Sequence, residues 1–209
     1  AWRGELPQAM RSFAGLIILG SVACLSQGDA PAWLAPERHL IDEALERELP
    51  VLGICFGAQH LARAAGGEVR RASTPELGWH PVQLTEGSQG DVLSSALGER
   101  FHAFQWHYDE VVLPGAGSLL AETNGMVQAF RVGSRAWGLQ FHLEVDAGSI
   151  LTWQGSAGGE LEAAGVNLDQ LNDSTDAYAA ANRARAERVA TAFAGLVREK
   201  HSGQTQPGT

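Results

Sequence analysis

The chain has 209 residues, 44% of them apolar and 19% charged, with a formal net charge of −9. That profile suits one folded domain with a sizeable core, and an acidic balance without a clustered run of Lys and Arg argues against a nucleic-acid partner. Two cysteines, Cys24 and Cys55, cannot build a disulfide framework and as reduced thiols fit a cytoplasmic protein; the greasy stretch 13–25 is broken by Gly15, Gly20 and Ser21 and is too short to cross a membrane.

In chain order, AGLIIL at 14–19 reads as a short strand buried on both faces, followed by a loop. Pro36 opens a helix whose apolar positions Leu40, Ile41, Ala44 and Leu45 share one face. Pro50 ends it, and PVLGI starts a second buried strand. Residues 56–65 form another helix, closed by Gly66 and Gly67. This alternation of strands and helices predicts an α/β fold with a parallel sheet covered on both sides. The rhythm then changes: HPVQLTE, FHAFQWHYDEVVL, SLLAE, MVQAFRV and AWGLQFHLEV are strand-like runs separated by turn residues, so an antiparallel hairpin region is expected. After Asp146 the pattern turns helical, at about 147–164 and again from about Ser174 to Lys200. Arg183, Arg185 and Arg188 fit the solvated face of that last helix. Residues 1–200 read as a single domain and 201–209 as a disordered tail.

Chemistry is concentrated at Gly53-Ile54-Cys55-Phe56-Gly57, a G-x-C-x-G between a strand and a helix. A nucleophile on so tight a turn needs small neighbours two residues either way, which distinguishes it from an ordinary buried cysteine. The turn also sets Cys55 at a helix N-terminus and aims the Phe56 N–H at a site where a carbonyl oxygen would gain charge. A thiol needs a base, and the base a partner that orients it. Of the seven histidines, His39 and His60 lie within helices and His201 in the tail, while His80, His102 and His107 lie on the middle strands. His142-Leu143-Glu144 closes the apolar run AWGLQF, and strand alternation puts His142 and Glu144 on one side. A metal site is open only to His102 and His107, which lack a third ligand nearby, so none is expected.

VLGICFGAQ at 51–59, WHYD at 106–109 and GLQFHLEV at 138–145 together resemble the class I glutamine amidotransferase family, most closely its free-standing members similar to the amidotransferase part of GMP synthetase. The resemblance implies a three-layer, flavodoxin-like sandwich with a mostly parallel central sheet and no cofactor. It implies that Cys55 attacks the glutamine side-chain amide to give a thioester and ammonia, with His142 as acid and base and Glu144 holding its ring. Ser21 and Phe56 would supply the oxyanion hole, while Gly20, Gly57, Gln59, Trp106 and His107 would contact substrate, with Asp109 bracing the 106–107 segment.

The chain departs from the family in three places. Ser21 and Val22 stand where a second glycine and a proline are usual, and H-L-E replaces the commoner H-P-E. Only AWRGELPQAMRSF precedes the GLIILG strand, where the family has a strand and a helix; either the chain is a fragment or the sheet lacks an element, with apolar surface exposed near its start. No G-x-x-x-x-G-K-[ST] phosphate loop occurs, so a separate synthase subunit is the expected ammonia acceptor. Two alternatives stand beside glutamine hydrolysis: a γ-glutamyl peptidase acting on small γ-glutamyl peptides, and an inactive binding or regulatory homologue.

Overall fold

In a computed structural model, residues 5–26 and 31–204 are described, the last four by backbone alone. The two apolar runs form β1 (Leu16–Ile18) and β2 (Val51–Ile54), joined through helix α1 (Leu34–Glu46) and paired in parallel. Pro36 sits in the first turn of α1, where its missing N–H has no helical partner to lose. Helix α2 (Phe56–Ala64) follows β2 directly. Strand β3 (Glu68–Leu84) and β4 (Arg100–Val112) flank the short helix α3 (Val92–Leu97); then come β5 (Gly117–Thr123), β6 (Met126–Val132) and β7 (Ala136–Leu139). Helices α4 (Ala147–Ala163) and α5 (Leu168–Gln204) complete the chain. Helix α5 thus runs past position 200, where the tail was expected to begin, and residues 205–209 lie outside the described residues.

The seven strands make one mixed sheet in the order β1-β2-β7-β6-β5-β3-β4. The expectation of a mostly parallel, flavodoxin-like sheet is corrected: only β1/β2 and β2/β7 pair in parallel, while β7/β6, β6/β5, β5/β3 and β3/β4 are antiparallel. The reason lies in the connections. Parallel neighbours need a long crossover, whereas a two-residue Asn124-Gly125 turn between β5 and β6 permits only an antiparallel partner.

Alternate residues of the central strands face opposite ways, and both faces are covered. Leu52, Ile54, Trp137 and Leu139 pack toward Leu93 and Leu97 of α3 and Val189 and Phe193 of α5. Val51, Ala136 and Phe130 pack toward Ile41 and Ala44 of α1 and Ala58 and Leu61 of α2. A third cluster gathers Phe104, Val145, Ile150 and Leu171 with Trp79, Trp106 and Trp153. β1 is an edge strand, and Phe13, Ile17, Leu19 and Val22 on or beside it are exposed.

Three local expectations change. β3 begins at Glu68, well before HPVQLTE, because a register shift between Arg71 and Glu76 absorbs Pro75. β7 stops at Leu139, and beyond it His142 touches the sheet only as an isolated bridge to Phe104. Arg185 is buried: its Nε donates to the Leu97 carbonyl at the end of α3 and its guanidinium lies 4.2 Å over the Phe101 ring.

Helix α3 escaped the sequence reading because six residues carry too little periodicity. It is fixed by Asp91, a buried N-cap whose Oδ1 accepts from the Leu93 and Ser94 N–H groups and whose Oδ2 accepts from Arg131 and from Trp137 Nε1 at 2.9 Å. Asp91→Ala strands these donors inside the core, so we expect a loss of about 2–4 kcal/mol of stability, read as a lower urea midpoint at unchanged m-value.

Candidate active site

The site stands at the carboxyl ends of the three parallel strands. In register, Ile18 of β1 lies beside Gly53 of β2, and Ile54 of β2 beside Leu139 of β7. The residues that follow each strand therefore emerge side by side: Gly20 after β1, Cys55 after β2 and His142 after β7.

Cys55 has φ 52° and ψ −109°, a backbone conformation that costs a non-glycine residue about 1–3 kcal/mol. It is held there from both sides, because its N–H donates to the Leu139 carbonyl at 2.8 Å and its own carbonyl accepts from the Gln59 N–H at 3.0 Å. The flanking glycines answer a steric demand. A Cβ at Gly53 would collide with the Gly57 carbonyl oxygen, and a Cβ at Gly57 would collide with that of Ile18. The start of α2 is therefore pressed against the backbone of β1, and Cys55 occupies the N-cap position.

The His142 ring is buried, and its Nδ1 is 2.6 Å from Glu144 Oε1, a carboxylate whose side chain is 30% exposed. Nε2 is buried with no hydrogen bond formed. A Cβ placed on Gly20 would be 3.1 Å from His142 Cε1 and 3.8 Å from Cys55 Cβ, so the imidazole and the thiol side chain flank one point beside the Gly20 backbone. Burial pushes the His142 pKa down, but the charge and proximity of the Cys55 sulfur, reinforced by Glu144, outweigh it and push it up to about 10. An imidazole held between a sulfur and a carboxylate, at the mouth of a helix, is equipped to take and return a proton.

The remaining sequence-predicted residues converge on the same region, in differing ways. The N–H of Phe56 opens α2 next to Cys55. Ser21 is exposed, and its Oγ accepts from the Ala23 N–H at 3.1 Å, leaving its backbone as the group it offers. Trp106 presents its carbonyl 3.9 Å from Cys55 Sγ. Gln59 is buried, with Nε2 donating to Gln140 Oε1 and to the Asp109 carbonyl at 3.3 and 3.4 Å. The ring of His107 points inward: Nδ1 is 2.9 Å from the Asp109 carbonyl, and Nε2 is 3.1 Å from both Gln105 Oε1 and Glu76 Oε2. Only the backbone at 107 is left for a substrate. The brace expected of Asp109 is made by that carbonyl, whereas its carboxylate turns away from the 106–107 segment and onto the loop after β1. His60 pairs with Glu37 at 3.0 Å in the interior. Among the described residues no cluster of three His, Cys, Asp or Glu converges to hold a metal ion, and no helix is long and apolar enough to cross a membrane.

Three contributors escaped the sequence reading. Glu76 anchors His107; burial pushes its carboxyl up, but His107 and Gln128 outweigh this and hold it below the ordinary 4.5. Asn182 on α5, fully buried, reaches from its Nδ2 to the His142 and Leu143 carbonyls at 3.3 and 3.5 Å. Trp153 on α4 meets the His142 ring edge to face at 5.1 Å and Trp106 at 5.8 Å. Each acts on the site from another element of the fold, which spacing alone cannot disclose; only Asn182, an Asx residue in mid-helix, carried a composition signal.

Residues 6–150 match the sequence model described as glutamine amidotransferase class-I. The chain is 34% identical over 142 residues to a glutamine-hydrolyzing GMP synthase of Aeropyrum pernix, covering 67% of this chain and 26% of that protein. It is 35% identical over 135 residues to one subunit of the glutamine-hydrolyzing GMP synthase of Sulfurisphaera tokodaii, covering 61% of this chain and 70% of the relative. The chain thus spans about a quarter of the first relative's length and most of the second's. Among solved structures, a glutamine amidotransferase from Thermotoga maritima superposes with a TM-score of 0.71 at 29% identity, covering 97% of this chain and 82% of its own. One from Methylobacillus flagellatus gives 0.80 at 25% identity, covering 91% and 80%.

Gly57→Ala forces a methyl group into the Ile18 carbonyl, and we expect it to cost about 1–3 kcal/mol of stability and to lower thiol reactivity at Cys55, checked by thermal melts and alkylation rates. The raised pKa of His142 also has a sign for stability. Its contribution is complete below the ordinary 6.5 and is lost as pH climbs through about 10. The stability gap between the wild type and Cys55→Ala, which lacks the main partner, should narrow as pH rises from about 6.5 to about 10 in urea titrations.

Proposed function

The chain belongs to the class I glutamine amidotransferase family, and from that premise we propose that it hydrolyses the side-chain amide of glutamine through Cys55, His142 and Glu144. The observation that carries this reading is the strained Cys55 at the mouth of α2 with the buried, Glu144-bound His142 beside it. With His142 holding the thiol's proton on Nε2, Cys55 Sγ attacks the amide carbon. The N–H groups of Phe56 and Ser21 stabilise the negative charge that develops on the carbonyl oxygen. His142 then returns the proton to the leaving nitrogen, so ammonia departs and a thioester remains. Water attacks that thioester, His142 accepts its proton, and collapse frees glutamate and restores the thiol.

Ammonia released here requires an acceptor. One relative is by name a component of a multi-chain GMP synthase, which supports delivery to a synthase portion outside these 209 residues. A second reading, hydrolysis of γ-glutamyl amides with larger leaving groups, is favoured by the partly exposed Trp153 against His142 and Trp106 against Trp153. Their rings suit an apolar leaving group better than ammonia does.

Ammonia release from glutamine by the isolated chain tests the first reading, with γ-glutamyl dipeptides as the competing substrates. Cys55→Ala is expected to abolish turnover, and Glu144→Gln to lower kcat by about 10²–10⁴-fold while moving the alkaline limb of the pH profile to lower pH, since a cause of the raised His142 pKa is removed. A glutamine-analogue electrophile should add once, at Cys55. A folded chain that is not labelled there, and that releases no ammonia, would be an inactive homologue.

A further inference from the structure

The segment that follows β1 enters the site as loop rather than helix or strand. Leu19, Gly20, Ser21 and Val22 are all exposed, so little packing fixes them. Yet Gly20 lies against both Cys55 and His142, and a donor placed by this loop must keep its position to within a fraction of an ångström to act on a developing charge.

The loop is fastened at each end. At one end Ile18 is bound in the sheet beside Gly53. At the other, the carboxylate of Asp109, only 3% exposed, gathers three donors: Ser26 Oγ to Oδ1 at 2.7 Å, the Ser26 N–H to Oδ2 at 3.2 Å, and Cys24 Sγ to Oδ2 at 3.0 Å. Arg71 stands 3.7 Å away as its counter-charge, and Arg63 adds a contact to the Leu25 carbonyl at 3.4 Å. Through its own carbonyl Asp109 accepts from Gln59, one turn beyond Cys55, and from His107. One residue on β4 therefore ties the nucleophile's helix, the Trp106 segment and the loop together.

We propose that Asp109 is a positioning residue for the oxyanion: its carboxylate holds the Cys24–Ser26 end of the loop so that the backbone at Gly20 and Ser21 is presented to the tetrahedral intermediate on Cys55. The proposal rests on the glutamine-hydrolysis reading and deepens it. Asp109 does not touch the reacting atoms; it acts through the loop. A charged acceptor for three loop donors is stronger than a neutral one, and Asn would turn a donor toward groups that are themselves donors.

Asp109→Asn and Ser26→Ala test this, with wild-type turnover measured alongside. For Asp109→Asn the expected result is a kcat lower by about 10- to 100-fold with KM changed less than about 3-fold. Affinity for a glutamine γ-aldehyde, which forms a tetrahedral adduct with the thiol, should fall in parallel with kcat. Alkylation of Cys55 by iodoacetamide, which passes through no oxyanion, should keep its rate. Ser26→Ala should shift kcat and aldehyde affinity the same way by a smaller factor. Retained kcat in folded Asp109→Asn overturns the proposal, and so does an equal fall in turnover and alkylation, which would mark general damage. Should Asp109→Asn fail to fold, Ser26→Ala decides, an unchanged kcat and aldehyde affinity counting against the clamp. A wild-type chain that cleaves neither glutamine nor γ-glutamyl amides removes the reading itself, and the proposal with it.

Discussion

Helix α2 starts so near the end of β1 that the two backbones touch where residue 57 has no side chain, and the same closeness recurs between residues 53 and 57. This contact governs the site. With it, the first turn of α2 lies directly above β2, and the chain must reverse within the single residue Cys55, whose φ is accordingly positive. The strain is sustained because the Leu139 carbonyl and the Gln59 N–H fix that residue on each side. The thiol is thereby lifted out of the sheet to the positive end of a helix dipole, where burial alone would have made it an inert part of the core.

Behind the thiol lies a closed ring of buried polar groups. His107 faces Gln105 and Glu76; Gln105 donates to Gln128, and Gln128 donates back to Glu76 at 2.5 Å. Such a ring is costly if any member is unpaired, but each side chain here has a partner, and so it holds one geometry rather than several. Its rigidity reaches the site by way of the Asp109 carbonyl, shared between His107 and Gln59. Glu76 stays ionised in the interior because the His107 and Gln128 hydrogen bonds outweigh burial.

What was legible in the sequence was local. The glycines at 53 and 57 disclosed the bend at Cys55 because their steric role is confined to a few residues, and the two-residue spacing disclosed the His142–Glu144 pair. The pair forms although His142 has left the strand expected for it and lies in a bent segment, with the Phe104 bridge holding its backbone. The direction of strand pairing was not legible: short apolar runs look alike in parallel and antiparallel sheets. Nor was the inward turn of His107, which depends on Glu76 arriving from another strand after a register shift. Arg185 resembled its neighbours Arg183 and Arg188; Arg188 too donates to a carbonyl of α3, and what sets Arg185 apart is its burial against the Phe101 ring, which arrives from another strand.

The misjudged sheet left the site intact for a physical reason. Only β1, β2 and β7 are paired in parallel with a neighbour, and they are the strands whose carboxyl ends carry Gly20, Cys55 and His142. Parallel strands deliver their ends to one edge, so three loops far apart in sequence meet there without any further device. The antiparallel part of the sheet serves differently: β4, paired along its length with β3, passes beside the site and brings Trp106, His107 and Asp109 to it from mid-strand rather than from a strand end. The isolated bridge between Phe104 and His142 joins the two systems. A uniformly parallel sheet would present strand ends alone at this edge, whereas this mixed sheet also brings β4 beside it, and with that strand come the groups that position the loop, the helix and the base.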